Sequence, residues 1–273
     1  MVDTLITPGD LARALAHDEL VLIDLRPAEQ FAVGHLPRAV HLDLWGVSLI
    51  DTDPAPLRAF MWMIGHLFSL RGVRPDWPVV VYEEDSGMRA ARAFWFLEYL
   101  GDPRARVLDG GVRAWQRDGH ALTTDVTTPT PSAWHGTRDD AKIATWREVR
   151  DRLDQPGVAI IDTRSDNEYR GIEVRARRGG AIPGAVHLEW KRNLTPDGTF
   201  KPADELRAMY EHAGVTPEHE VITYCQGGYR AAHAYIALRL AGYTRVRNYT
   251  GSWKEWGDRE DDVPVEHPGR DRN

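Results

Sequence analysis

The chain is expected to fold as an α/β protein made of two tandem copies of one domain, each a mainly parallel sheet flanked by helices on both faces. Three observations predict this. Short β-branched runs alternate with helix-like segments, the same order of segments occurs twice, and a Thr/Pro-rich stretch separates the two occurrences.

The first copy opens with Val21-Leu22-Ile23-Asp24-Leu25-Arg26, followed by Gly34-His35-Leu36-Pro37-Arg38-Ala39-Val40-His41-Leu42. Its echo is Ala159-Ile160-Ile161-Asp162-Thr163-Arg164, then Gly180-Ala181-Ile182-Pro183-Gly184-Ala185-Val186-His187-Leu188. Asp24 and Asp162 stand 138 residues apart, whereas His41 and His187 stand 146 apart. The second copy therefore carries eight extra residues, around Gly171 to Gly179. Further on, Val79–Tyr82 matches Val221–Tyr224, and Arg89-Ala90-Ala91 matches Arg230-Ala231-Ala232. Gly110 with Trp115 matches Gly251 with Trp256 at a shared offset of 141.

Within this frame, strands are expected at about 20–24, 78–82 and 105–108, and again at 158–162, 220–224 and 245–247. Helices are expected at about 87–100 and 229–241, with helix starts at Thr7-Pro8-Gly9-Asp10 and at Thr145-Trp146-Arg147-Glu148. The second of these reads as a capping box, in which Thr145 and Glu148 satisfy each other's free backbone donors. The aromatic residues near Trp115 and Trp253–Trp256 read as core or surface packing. The stretch Thr127-Thr128-Pro129-Thr130-Pro131-Ser132 is linker chemistry. The expected domains are residues 1–125 and 143–273, joined by a linker over 126–142.

Bulk properties narrow the function. With 273 residues, 42% of them hydrophobic and 27% charged, the chain has room for two ordinary globular domains. No apolar run approaches the roughly 20 residues that span a bilayer, so no membrane partner is expected. The N-terminus lacks a basic stretch followed by an apolar core, which points to the cytoplasm. A single cysteine excludes an internal disulfide and a CxxC motif, and the eleven histidines show no ligand spacing, so neither metal nor organic cofactor is expected. A net charge of −7 argues against nucleic acid as a partner.

That cysteine, Cys225, ends the apolar run Glu220–Tyr224 and opens the loop Gln226-Gly227-Gly228-Tyr229-Arg230 ahead of an alanine-rich helix. Ligands bind at the carboxyl ends of strands in open α/β sheets. Glycines let loop N–H groups converge, the helix adds the positive end of its dipole, and Arg230 adds a full charge. All three favour a thiolate, the nucleophilic form. A lone cysteine is most often a structural core residue; the loop context argues for the nucleophile. The first copy has Glu83 at the equivalent position, within the acidic loop Glu83-Glu84-Asp85-Ser86-Gly87-Met88, so only the second copy is equipped for this chemistry.

Together, the duplicated halves, the Asp-x-Arg strand ends, the Pro-Gly-Ala-Val-His segment and the Cys-x4-Arg loop of the second copy resemble the tandem rhodanese sulfurtransferases. The resemblance covers nearly the whole chain. It implies a rhodanese fold in each half, an inactive first domain that walls the active site, and ping-pong transfer. Cys225 would attack the outer sulfur of thiosulfate, release sulfite and hold a persulfide until cyanide, a thiol or a dithiol protein takes the sulfur. Phosphatases of this fold carry five residues between Cys and Arg, whereas Gln226 to Tyr229 are four, a ring suited to one sulfur atom. The loop is similar to that of bacterial thiosulfate sulfurtransferases, which opens Cys-Gln and ends in Arg; Glu168-Tyr169-Arg170-Gly171 and Trp190 also resemble that group. Animal enzymes place a donor-binding arginine where this chain has Glu168, which leaves Arg230 as the expected grip on the donor's anionic end. Two alternatives stay open: a 3-mercaptopyruvate sulfurtransferase, and a persulfide carrier with little turnover of its own.

Other residues have lesser expected roles. Glu168, Arg170 and Trp190 are candidates for the substrate side, with interdomain packing as an equal reading for Trp190. Arg170, Arg175, Arg177 and Arg178 crowd the insertion, where they would draw in anions or simply face solvent. Asp162 and Arg164 are expected to be structural support, because Asp24 and Arg26 repeat them in the copy without cysteine. His41 and His187 are duplicated too and read as scaffold.

Overall fold

Runs of valine and isoleucine between glycine and proline punctuation fold into short strands, and the alanine- and leucine-rich stretches after them into helices. The structure, a computed structural model, describes residues 4–17, 19–259 and 262–269. It divides into two units. One comprises residues up to Val47, Arg58–Asp139 and Leu194–Phe200; the other comprises Ser48–Leu57, Asp140–Asn193 and Lys201 onward.

The first half contains β1 (Leu5–Ile6), α1 (Pro8–His17), β2 (Val21–Asp24), α2 (Ala28–Val33), β3 (Val40–His41), α3 (Pro54–Ser69), β4 (Val79–Tyr82), α4 (Met88–Tyr99), β5 (Ala105–Leu108) and α5 (Gly111–Arg117). The second contains α6 (Trp146–Asp151), β6 (Val158–Asp162), α7 (Asp166–Tyr169), β7 (Val186–His187), α8 (Ala203–His212), β8 (Glu220–Tyr224), α9 (Tyr229–Leu240), β9 (Val246–Asn248) and α10 (Ser252–Asp258). The expected strands and helices stand within a residue or two of their observed bounds. The capping box at Thr145 is present in full, with Glu148 accepting from the Thr145 N–H and Thr145 Oγ1 accepting from that of Glu148.

Every strand pair is parallel, in the order β1-β5-β4-β2-β3 in one sheet and β7-β6-β8-β9 in the other. Read from the opposite edge, the second order repeats the first without a counterpart of β1. A single parallel bridge from Ile143 to Asn248 marks that missing strand. Strands β2 and β4 are buried along their whole length, which is why they read as unbroken apolar runs rather than as alternating ones. Helices flank each sheet, so the fold is α/β as the sequence predicts.

Each unit has its own core. In the first, Leu22, Val80, Tyr82, Leu108 and Trp115 pack together; in the second, Trp146, Ile160, Ile222, Tyr224, Trp253 and Trp256 do so. Trp115, Trp253 and Trp256 are therefore core residues.

A polar scaffold is built identically in both. Arg26 pairs with Asp24 at 2.7 Å and donates to the Gly34 carbonyl at 2.7 Å; Arg164 pairs with Asp162 at 2.5 Å and donates to Gly180 at 2.7 Å. His41 bonds the Arg26 carbonyl and His187 the Arg164 carbonyl, each at 2.8 Å. Asp162 and Asp24 are fully buried, and each buried charge has its partner and hydrogen bonds in place, the condition for tolerating it.

Arg178 supplies several of the bonds that fasten the end of the eight-residue insertion. Arg178 donates to the carbonyls of Trp256, Arg259 and Val263 at 2.8–3.0 Å, and Trp253 Nε1 donates to the Arg178 carbonyl at 3.1 Å. Arg178 is thus a clamp for the end of α10 rather than an attractor of anions. Arg178→Ala strands three carbonyls and is expected to cost about 2–4 kcal/mol, read as a shift of the denaturant midpoint at unchanged slope.

Candidate active site

The loop after β8 is held from below by the start of α10. The N–H groups of Trp253 and Lys254 donate to the carbonyls of Cys225 and Gln226 at 2.9 and 3.0 Å. Ser252 accepts from the Cys225 N–H at 3.1 Å and donates to the Tyr249 carbonyl at 2.7 Å. To do so it adopts φ +53°, a left-handed conformation that a side-chain-bearing residue enters at a cost of about 1–3 kcal/mol. Gly228 has φ +85°, and a Cβ there would meet the Thr250 carbonyl and hydroxyl at 2.8 Å, so only glycine fits the turn.

This turn wraps backbone donors around the sulfur. Cys225 is 1% exposed, and the Gly228 N–H lies 3.1 Å from Sγ. Burial by itself would raise the thiol's affinity for its proton. The charge of Arg230 and the N–H groups of Ala231, Gly227 and Gly228 outweigh burial, and the net shift is downward. A thiolate with converging N–H donors can attack an electrophilic sulfur and then shelter the atom it gains.

Arg230 does not face outward for a donor. Its terminal nitrogens grip Glu168 at 2.5 and 2.9 Å, and Glu168 is 3% exposed. Arg230 acts on Cys225 through its charge while its fork holds Glu168, and Glu168 is the buried carboxylate that positions Arg230. Glu168 is fixed in turn by a capping box with Ser165 at the start of α7. Although burial opposes ionisation, Arg230 pulls the Glu168 carboxyl down to about 2. The Ser-x-x-Glu spacing was visible at residues 165–168; that its Glu reaches 62 residues along the chain was not.

The remaining candidates spread out. Gln226 joins the loop to the insertion, its Nε2 donating to the Arg175 carbonyl at 2.9 Å. Arg175 lies 3.3 Å from Glu168 and is half exposed, so it is the cation of this cluster that solvent reaches. Arg170 pairs with Asp166 on the surface instead. Tyr229 opens α9. Trp190 sets its ring edge-on against His233 of α9, with centroids 4.9 Å apart. Among the described residues no cluster of three or more His, Cys, Asp or Glu is arranged to hold a metal ion.

The first unit supplies an internal comparison. Val112 and Arg113 donate to the carbonyls of Glu83 and Glu84 at 3.0 and 3.1 Å, as Trp253 and Lys254 do for Cys225 and Gln226. Here the cradle holds the Glu83 carboxylate, which accepts from the N–H groups of Arg89 and Ala90 at 2.6 and 3.0 Å. Burial, aided by Asp85, outweighs those donors and pushes Glu83 up to about 7. A carboxyl whose pKa in the fold exceeds its ordinary 4.5 binds its proton more tightly when folded. The contribution of Glu83 to stability is then greatest below pH 4.5 and declines as pH rises towards 7, by about 3 kcal/mol. Glu83→Gln is expected to flatten that slope, as measured by urea unfolding at about pH 5 and about pH 8.

A family model of the rhodanese-like domain matches the chain twice, at residues 7–118 and 145–259. The chain is 36% identical over 266 residues to a thiosulfate sulfurtransferase of Pseudomonas aeruginosa and 36% identical over 262 residues to one of Azotobacter vinelandii, with 96% of each chain covered in both comparisons. It is 35% identical over 261 residues to a sulfur carrier protein of Thermus thermophilus, covering 90% of this chain and 88% of that one. Among solved structures it is similar in fold to an anaerobic ergothioneine biosynthesis enzyme from Chlorobium limicola, with a TM-score of 0.82 at 21% identity, covering 96% of this chain and 70% of the other. With both halves matched and relatives aligned along nearly its whole length, the chain belongs to the rhodanese-like family as a tandem of two such domains.

Proposed function

We propose that this chain is a sulfurtransferase that moves the outer sulfur of thiosulfate to a thiophilic acceptor through a persulfide on Cys225. The observation that carries this reading is the buried Cys225 sulfur 3.1 Å from the Gly228 N–H, with its proton affinity lowered by Arg230 and the neighbouring amides. The naming of relatives at 36% identity as thiosulfate sulfurtransferases supports the donor.

In the first step the thiolate attacks the outer sulfur of thiosulfate. A new S–S bond forms, the old one breaks, and sulfite leaves with the bonding pair. The loop amides shelter the persulfide anion, and Arg175 meets the anionic end of the donor. In the second step cyanide, a small thiol or a dithiol protein attacks the outer sulfur and the Cys225 thiolate returns. No second cysteine exists to resolve the persulfide, so the acceptor comes from outside the chain. The setting is cytoplasmic, where reduced thiols are abundant. The first domain, with Glu83 in place of a thiol, takes no part in the chemistry.

The carrier reading also has an observation behind it, the 35% identity to a sulfur carrier protein. The test is thiocyanate formation from thiosulfate and cyanide, run beside 3-mercaptopyruvate as donor, with mass spectrometry of the treated protein. Turnover with thiosulfate and one added sulfur atom on Cys225 is the expected result. Persulfide without turnover would favour the carrier, and an unmodified Cys225 would overturn both readings.

A further inference from the structure

A second candidate site lies in the first unit, at the amino-terminal ends of β2 and β3. The strands are parallel and Glu83 follows the carboxyl end of β4, so this place is at the opposite end of the sheet from the Glu83 loop. A cavity of about 270 Å³ opens there over a floor that includes Leu20, Val21 and Val40. Three arginines line it, Arg38, Arg71 and Arg74, and among the described residues no Asp or Glu does. In a chain of net charge −7, three arginines on one cavity run against the average composition.

Arg71 and Arg74 are held by backbone carbonyls. Arg71 donates through Nε to the His41 carbonyl at 2.6 Å. Arg74 donates through Nε to the Gly72 carbonyl and through Nη2 to the Thr130 carbonyl, both at 3.2 Å, and stacks 4.4 Å above the Trp77 ring. Among the described residues, neither Arg71 nor Arg74 has a carboxylate within ion-pair distance. The wall carrying Thr128 and Thr130 is itself tied down, with the Ser132 N–H donating to the Ser69 carbonyl at 2.9 Å. Fixed guanidinium groups with N–H donors to spare are the usual receptor for a tetrahedral oxyanion, and an apolar floor takes a small organic body.

We propose that this cavity binds a small organic phosphate or sulfonate, its oxyanion between Arg71 and Arg74 and its body on the Leu20–Val40 floor. Its lining residues all belong to the first unit, and the proposal does not depend on the sulfurtransferase reading.

The test is titration of the full-length chain with adenosine 5′-monophosphate and, separately, with inorganic phosphate, followed by calorimetry and by tryptophan fluorescence with a Trp77→Phe control. Saturable binding of the nucleotide is expected, weakened about tenfold or more by Arg71→Gln or by Arg74→Gln, with thiocyanate formation unchanged. Arg74→Lys, which keeps the charge but loses the fork, supplies the reading if a glutamine variant does not fold, and should also weaken binding. No saturable binding at millimolar nucleotide, or affinity untouched by these substitutions, would overturn the proposal. Equal affinity for phosphate and nucleotide would overturn the organic body.

Discussion

Cys225→Ala is expected to lower thiocyanate formation by at least about 10⁴-fold, leaving a fold with an unchanged far-ultraviolet spectrum. The size of the effect follows from the arrangement. In the proposed mechanism the whole reaction passes through a bond to one sulfur atom, and the chain has no other cysteine to take its place. The cradle of N–H groups and the Arg230 charge remain in the variant, so an anion can still bind, but nothing can accept the sulfane atom. Stability should change little, because the side chain is small and the loop is held through backbone groups of Trp253 and Lys254. A variant that retained even a hundredth of the native rate would show that Cys225 is not the sulfur-carrying residue. A variant that unfolded would show instead that the thiol is a structural part of the core.

The second large effect concerns the Glu168–Arg230 pair, whose side chains are 3% and 14% exposed. Removing either partner leaves the other charge buried, a loss of about 3–5 kcal/mol in stability. The two single variants differ in what they do to Cys225. Arg230→Ala removes the positive charge that lowers the thiol's proton affinity and so raises that affinity, slowing alkylation by iodoacetamide at neutral pH. Glu168→Ala keeps that charge and should leave the thiol as reactive as before, or more so, wherever the protein stays folded. A purely structural pair would give the same alkylation profile in both variants. The pH dependence has a definite sign as well. Glu168 is pulled down to about 2 from its ordinary 4.5, so its contribution is complete above pH 4.5 and is lost as pH falls towards 2. The native loop is therefore expected to persist in mild acid, whereas Glu168→Gln should lack this acid-side loss.

Much of the fold was legible before any coordinates because the chain states it twice. A strand end such as Ile161-Asp162-Thr163-Arg164 is ambiguous when it stands alone. Repeated as Ile23-Asp24-Leu25-Arg26 with a matching downstream helix, it becomes a domain, and the missing cysteine of one copy singles out the loop proposed to carry the chemistry in the other. The helix α3 was overlooked, although its buried residues Leu57, Met61, Ile64 and Phe68 recur at helical spacing. It and α8, which occupies the same place in the second half, lie outside the matched segments on which the comparison of halves relied, and the apolar stretch of α3 carries no polar face to set the period in relief.

What the sequence determined by itself was the pairing of local chemistry with local backbone: a strand, a cysteine, two glycines and a helix start place a thiol among N–H donors whatever else surrounds it. The partners of the charged side chains were settled only by the tertiary structure. Arginine reaches far and ion pairs form between residues distant in sequence, so the engagement of Arg230 with Glu168 and of Arg178 with the backbone at the end of α10 depended on which elements pack together. The same reason hid the arginine-lined cavity, because Arg38, Arg71 and Arg74 become neighbours only when β3 and the turn after α3 are folded onto one sheet.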